Sequence, residues 1–133
     1  MKHFFKASLI LLACFGFTAA AQDWYHDRDA RFRDEQWHHH LFAHVRMDLE
    51  HVQSVTWPGG RDRYRLDRTK HELDELQGKL DHGFFDRREL DSVIGSLNRV
   101  VADNRMGPRD REILHDDLER LRDYRAHHEH WIR

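Results

Sequence analysis

The stretch DRRELDSVIGSLNRVVADN, residues 86–104, carries the pattern that decides the fold. Its aliphatic residues recur at spacings of three and four, the period of one face of an α-helix. Asp86 stands where an N-cap side chain accepts orphan amide protons, and Glu89 completes a capping-box-like start. Asn104 is predicted to end the helix. The buried face of this helix is predicted to consist of Leu90, Val93, Ile94, Leu97, Val100 and Val101.

Three further segments show the same helical period, over residues 30–55, over 61–82 and from Pro108 onward. The Pro58-Gly59-Gly60 turn ends the first segment, and Gly83 is predicted to be a left-handed cap on the second. Short loops make consecutive helices antiparallel neighbours. The sequence therefore predicts an all-α fold, a small antiparallel bundle of about four helices after an N-terminal signal peptide. The predicted core residues of these segments are Leu41, Val45, Leu49, Val52, Leu66, Thr69, Leu73, Leu76, Leu80, Leu114, Leu118, Leu121 and Ile132.

Residues 1–21 have the composition of a secretory signal peptide. Two lysines precede an apolar run, which leads to Ala19-Ala20-Ala21 as a small-residue cleavage site. We therefore expect a signal peptide over 1–21, a flexible segment over 22–29 and a single helical domain over 30–133. The predicted location is periplasmic or secreted.

The composition restricts the classes of molecule that the protein can bind and the disulfide bonds that it can form. The only cysteine, Cys14, lies inside the predicted signal peptide, so we expect no disulfide in the mature chain. Residues 11–14, LLAC, also resemble a bacterial lipobox, which leaves lipidation at Cys14 as an alternative. Without the signal peptide, 20 Lys and Arg stand against 24 Asp and Glu, a net charge of −4. This balance argues against a nucleic-acid partner, and no apolar run is long enough to predict a membrane span.

Histidines are frequent in the first predicted helix, where His40 and His44 stand four positions apart. This spacing lets two imidazoles bind one metal ion, so the pair is a candidate site for Zn²⁺, Ni²⁺ or Cu²⁺. No other cofactor is predicted. The alternative is that the histidines lie at the boundary of the core, where protonation of a residue such as His38 would lower stability. The candidates for further ligands are unspecific: His71, His82, His115 and His128.

A stripe of arginines is the candidate surface for a protein partner. Arg61, Arg65 and Arg68 are spaced by four and three residues and so share one face of the second predicted helix. Guanidinium groups bind carboxylates or phosphates bidentately. Pairing with acidic residues of neighbouring helices is the alternative. Phe32 and Tyr64 fall outside the apolar faces and are predicted to contact the same partner.

The aromatic residues near the loops and the acidic residues are expected to have structural roles. Trp57 lies beside one predicted loop, and the consecutive residues Phe84 and Phe85 lie beside another. We expect these three aromatic side chains to cover the ends of the bundle. The acidic residues are expected on exposed faces, where their pKa values need not shift. No catalytic residue is predicted, because the sequence offers no phosphate-binding glycine loop, no Ser-His-Asp spacing and no cysteine nucleophile after processing.

These features predict an exported, non-enzymatic helical protein, acting as a protein-interaction or stress-related periplasmic module. Divalent-metal binding or buffering through the histidine-rich helix and a pH-responsive envelope protein are the alternatives. The narrow apolar stripes also leave room for a homodimer. The size and the helical hairpins are similar to those of small periplasmic stress proteins of the CpxP and Spy type. Their recurring Leu-Thr-x-x-Gln motif does not occur here, so no residue role is carried over.

Overall fold

The computed structural model describes residues 24–30 and 40–131. The chain divides into two units, Met1–His39 and His40–Arg133. In the first unit, residues 24–30 form a short helix, α1, where the sequence predicts a flexible segment over 22–29. The predicted signal peptide and the candidate residues Phe32 and His38 lie outside the described residues.

The second unit consists of four helices joined by loops of three to five residues. Each helix packs mainly against two others, because α2 contacts α3, α3 contacts α4, α4 contacts α5, and α5 returns to α2. The four helices therefore close into a ring around one core. Their bounds are Leu41–Thr56 for α2, Gly60–Asp81 for α3, Arg87–Asp103 for α4 and Pro108–Trp131 for α5.

Cross-helix hydrogen bonds show that neighbouring helices run antiparallel. Gln53, near the end of α2, donates to Asp67 near the start of α3 at 3.4 Å. Arg46, one and a half turns into α2, donates to Asp74 farther along α3 at 2.7 Å. No described residue forms a strand, so the prediction of an all-α fold is confirmed. The described residues contain five helices, where the sequence predicts about four.

The core is built from the aliphatic faces that the sequence predicts. Fully burying one leucine or valine side chain contributes about 1.5–3 kcal/mol, so these faces supply the main stabilisation of the unit. Within the predicted set, Leu80, Ile94 and Val101 are only half-buried, and Ile132 lies outside the described residues. The fully buried members are Leu41, Val45, Leu49, Val52, Leu66, Leu73, Leu76, Leu90, Val93, Leu97, Val100, Leu114, Leu118 and Leu121.

The turn from α3 to α4 is stabilised by hydrogen bonds on both sides. Gly83 has φ +80° and donates its amide to the Leu80 carbonyl at 2.8 Å, while the next amide, of Phe84, bonds the Lys79 carbonyl at 2.9 Å. This pair of bonds is a Schellman motif, and it confirms the predicted left-handed cap. Asp86 Oδ1 accepts from the Glu89 amide at 3.1 Å, which confirms the predicted N-cap of α4.

The prediction that aromatic rings cover the ends of the bundle is wrong for two of three residues. Trp57 is 88% exposed, and Phe84 is exposed as well. Trp57 caps α2 in the left-handed conformation, with φ 47°, and this backbone turn directs its indole into solvent. Phe85 is half-buried and its ring packs against Tyr124, with ring centroids 6.3 Å apart.

Candidate functional site

A groove of about 330 Å³ lies between α3 and α4, and we call it the arginine groove. It contains all the predicted partner-binding residues that the structure describes, because the spacing of four and three does place Arg61, Arg65 and Arg68 on one face of α3. The wall on α4 is a contribution that the sequence does not predict. The lining residues are Arg61, Tyr64, Arg65, Arg68, Ser96, Arg99 and Asp103.

Arg65, which the sequence predicts to bind a partner, forms hydrogen bonds within the bundle. Its Nε donates to Asn104 Oδ1 at 2.7 Å, and its Nη2 donates to Asp62 Oδ1 at 2.8 Å. Asn104 is itself buried and donates its side-chain amide to the Asp62 carbonyl at 3.0 Å. Arg65 is therefore bonded within the protein, but its acidic partner, Asp62, lies on the same helix and not on a neighbouring one as the alternative predicts. We call these three residues the Asp62–Arg65–Asn104 network.

This network joins the beginning of α3 to the end of α4. The amide of Arg105, the first residue after Asn104, donates to Asp62 Oδ2 at 3.0 Å. Arg111 of α5 donates through Nη2 to the Asn104 carbonyl at 2.9 Å. Because three helices meet in these bonds, the end of the arginine groove that contains Arg61 and Asp103 rests on a rigid support.

The side chain of Arg68 is hydrogen-bonded within the protein at one nitrogen and is partly exposed to solvent. Its Nε donates to Glu72 Oε1 at 2.9 Å, and the other oxygen of that carboxylate accepts from Ser96 Oγ at 2.9 Å. The hydrogen bond to Glu72, its negative charge and the nearby Tyr64 hydroxyl raise the pKa of Arg68 above its ordinary value. Arg68 thus stays charged, and about half of its side chain faces solvent.

Arg61 and Arg99 differ from the two arginines just described. Both are exposed, and neither side chain forms an ion pair or a hydrogen bond with another residue in the part of the chain that the structure describes. Tyr64 lies on the same face as Arg61, three residues later, and its side chain is 64% exposed. Asp103 is the one acidic residue among the described residues that line the groove. The groove therefore presents two guanidinium groups and one aromatic ring to an external ligand.

Comparisons with known proteins give no independent information on the arginine groove. No family model, no curated protein and no solved structure matches the chain. The side chains of the arginine groove nevertheless indicate which ligands it can bind. Exposed guanidinium groups bind planar anions through paired N–H donors, and an exposed phenol ring packs against apolar groups.

Of the candidate metal pair, His44 lies in α2, whereas His40 is the N-cap residue just before it. The rings of His40 and His44 are 6.3 Å apart between centroids and nearly perpendicular. Within residues 24–30 and 40–131, no group of three or more His, Cys, Asp or Glu side chains is placed to hold a metal ion. His71 pairs with Glu75 at 3.0 Å, and His128 stacks on Tyr124 with centroids 4.2 Å apart. Metal binding at the pair stays a prediction.

Buried carboxylates between α2 and α5 overturn the expectation that acidic residues lie on exposed faces. Asp48 and Asp117 are fully buried, and Asp110 is nearly so. His51 Nε2 lies 3.5 Å from Asp110 Oδ1. Burial lowers the pKa of His51, and the charges of Asp110 and Asp48 oppose that shift without cancelling it. The sequence carried one signal, because Asp48 lies three residues after Val45 and four before Val52, both buried, and so shares the core face of α2.

None of the helices in the described ranges is both long enough and apolar enough to cross a membrane.

Proposed function

We propose that the chain is an exported, non-enzymatic helical protein whose arginine groove binds a protein partner. The observation that carries this proposal is the pair Arg61 and Arg99, which face one groove with no bonding partner among the described residues, beside the exposed Tyr64. Arginine and tyrosine are enriched where protein interfaces derive most of their binding energy. The export part of the proposal rests on the predicted signal peptide.

The hydrogen bonds that hold the wall of the arginine groove favour a binding role for its exposed arginines over a purely structural one. A surface arginine that only solubilises the protein needs no fixed frame. Here Arg65 is held by Asp62 and Asn104 across two helices, and this places the neighbouring turns of α3 in register with α4. Binding surfaces built on rigid helices lose less conformational entropy when the partner docks.

Metal binding through His40 and His44 is the second candidate. The observation in its favour is the ring separation of 6.3 Å at a spacing of one helical turn. Two ligands alone give weak binding, because a closed zinc site takes four. This candidate requires ligands from outside the described residues or from a second molecule.

Photo-crosslinking tests the partner-binding proposal. A photoreactive phenylalanine analogue replaces Tyr64 in the native host, and in a matched strain it replaces Phe84, which is also exposed but lies in the loop between α3 and α4. We expect a discrete cross-linked product from position 64 and none from position 84. The absence of a product at 64, or equal products at both positions, would contradict the proposal.

A further inference from the structure

The charges of the arginine groove occupy two positions along α3. Arg61 and Arg68 are seven residues apart, which corresponds to about 10.5 Å along the helix axis. Two contacts fix the level of Arg99 of α4 along α3. Ser96 contacts Glu72, and Asn104 contacts Arg65. Arg99 lies between Ser96 and Asn104 in the sequence, so it lies beside the turn of α3 that contains Arg68. Along the axis of α3, a ligand in the groove therefore meets one positive centre at Arg61 and a second, formed by Arg68 and Arg99, about two turns farther on.

The exposed ring of Tyr64 lies between these two positive centres. Tyr64 follows Arg61 by three residues and precedes Arg68 by four, so the three side chains share one face of α3. The order along the groove is therefore positive, aromatic, positive. A helix that carries an acidic residue, an apolar residue one turn later and a second acidic residue two turns later repeats the same 10.5 Å spacing.

We propose that the arginine groove binds an acidic helical segment of a partner protein, with one carboxylate at Arg61, a second at Arg99 and an apolar side chain on Tyr64. This inference rests on the proposed function and specifies the chemistry of its partner. Arg99 holds the second carboxylate because its donors are uncommitted, whereas Arg68 already donates to Glu72. Helix-in-groove recognition uses anchors at this spacing.

Charge complementarity favours discrete carboxylates over a continuous polyanion. Asp103 lines the groove, and Asp62, Asp67 and Glu72 lie on the same helix as the arginines. A nucleic acid carries a phosphate every few ångströms along each strand and would meet these acidic side chains as well as the guanidinium groups. Two carboxylates spaced by two helical turns bring fewer negative charges near Asp103 than a polyanion does.

Fluorescence anisotropy with synthetic peptides tests the inference on the full chain. The probe is a labelled alanine- and glutamine-based helical peptide with two Glu residues seven positions apart and a Leu midway. The comparison peptide has Gln in place of both Glu residues. We expect the Glu peptide to bind at least about tenfold more tightly, because each exposed guanidinium–carboxylate pair contributes modestly and there are two. Binding weakens as salt is raised.

Charge-matched variants locate the binding. Arg61→Gln and Arg99→Gln are each expected to raise the Kd for the Glu peptide about three- to tenfold. The controls Arg63→Gln on α3 and Arg88→Gln on α4 remove the same charge at exposed positions outside the groove, and we expect less than a twofold change. Circular dichroism of all four variants checks that the helices are intact.

Several outcomes would overturn the inference. These are no binding of the Glu peptide, equal binding of the Gln peptide, or equal losses in the groove variants and the controls. Tighter binding of a short DNA duplex or of phosphatidylglycerol vesicles, lost in the groove variants, would also overturn it. Cross-linking from position 64 together with failed peptide binding refutes only the carboxylate chemistry. Peptide binding without any cross-link refutes the proposed function instead.

Discussion

Asn104 Oδ1 accepts a 2.7 Å hydrogen bond from Arg65 Nε, and this bond ties the end of α4 to the second turn of α3 across 39 residues of sequence. The asparagine is 2% exposed and also donates to the Asp62 carbonyl. The side chain of Arg65 therefore holds one wall of the arginine groove in place.

We expect Asn104→Ala to lower the free energy of unfolding by about 2–3 kcal/mol, because it leaves the Arg65 guanidinium and the Asp62 carbonyl without their buried partner. Urea denaturation followed by circular dichroism measures the change. Asn98→Ala, at an exposed position of the same helix, is the control and should cost less than about 0.5 kcal/mol. Equal effects of the two variants would show that the network contributes nothing.

The pH dependence of stability should report His51. Burial lowers its pKa in the folded state, so the folded protein binds this proton less readily than the unfolded chain does. Stability is therefore complete above the unfolded pKa of about 6.5 and falls as the pH drops through that value toward the lower folded pKa. Asp110 and Asp48 face the ring and reduce the effect.

For that test, unfolding free energies are measured by urea denaturation between pH 7.5 and pH 5. His51→Gln should flatten the slope in this window, where one proton contributes at most about 1.4 kcal/mol per pH unit. His115→Gln, exposed on α5, serves as the comparison and should retain the wild-type slope. A wild-type profile that is already flat would rule out a buried neutral His51.

Two glycines should respond to alanine in opposite directions. Gly83 has φ +80°, which an alanine adopts at a cost of about 1–2 kcal/mol, so Gly83→Ala is expected to destabilise the protein by that amount. Gly95 lies inside α4 with no atom within 4 Å of an added Cβ, so Gly95→Ala should stabilise by about 0.5–1 kcal/mol. Thermal denaturation measures both. A stabilising Gly83→Ala would contradict the Schellman cap.

Export predicts a defined mature terminus. Intact-mass spectrometry of the protein recovered from the native host should find a chain that begins at Gln22, because Ala19–Ala21 supplies the small residues that signal peptidase requires. A mass corresponding to a diacylated chain that begins at Cys14 would support the lipobox alternative. An unprocessed chain in the cytosolic fraction would contradict export altogether.

Calorimetric titration with Zn²⁺, Ni²⁺ and Cu²⁺ tests the histidine pair. Because His40 and His44 supply only two ligands, we expect weak binding that disappears in the double variant His40→Ala/His44→Ala. The variant His71→Ala/His82→Ala, at two exposed positions of α3 and its C-cap, should bind as the wild type does. Binding that survives loss of the first pair would remove the metal site from consideration.

The sequence predicted the helices and their buried faces because a period of three and four residues is a local property. The caps at Gly83 and Asp86 were predictable for the same reason, since each acts within its own turn. Trp57 was misjudged because its size suggests burial, whereas the left-handed backbone that directs it outward is not encoded in residue type.

The arginine groove was predictable only in part. The stripe on α3 follows from spacing along one helix, but Arg99 joins it from α4, and the register between two helices cannot be derived from either sequence alone. Which arginine is available depends on that register too, because Arg65 and Asn104 meet only after the helices pack. The buried Asp48 and Asp110 were missed because periodicity identifies apolar faces and not the polar side chains that share them.

The ring of four antiparallel helices places the first residue of α2 and the last turn of α5 at one end of the unit, and the Arg61 end of α3 at the other. The 21 residues from Arg61 to Asp81 span about 30 Å along α3. A surface anchor attached after α5 would therefore orient the immobilised protein with the Arg61 end of the arginine groove toward the solution.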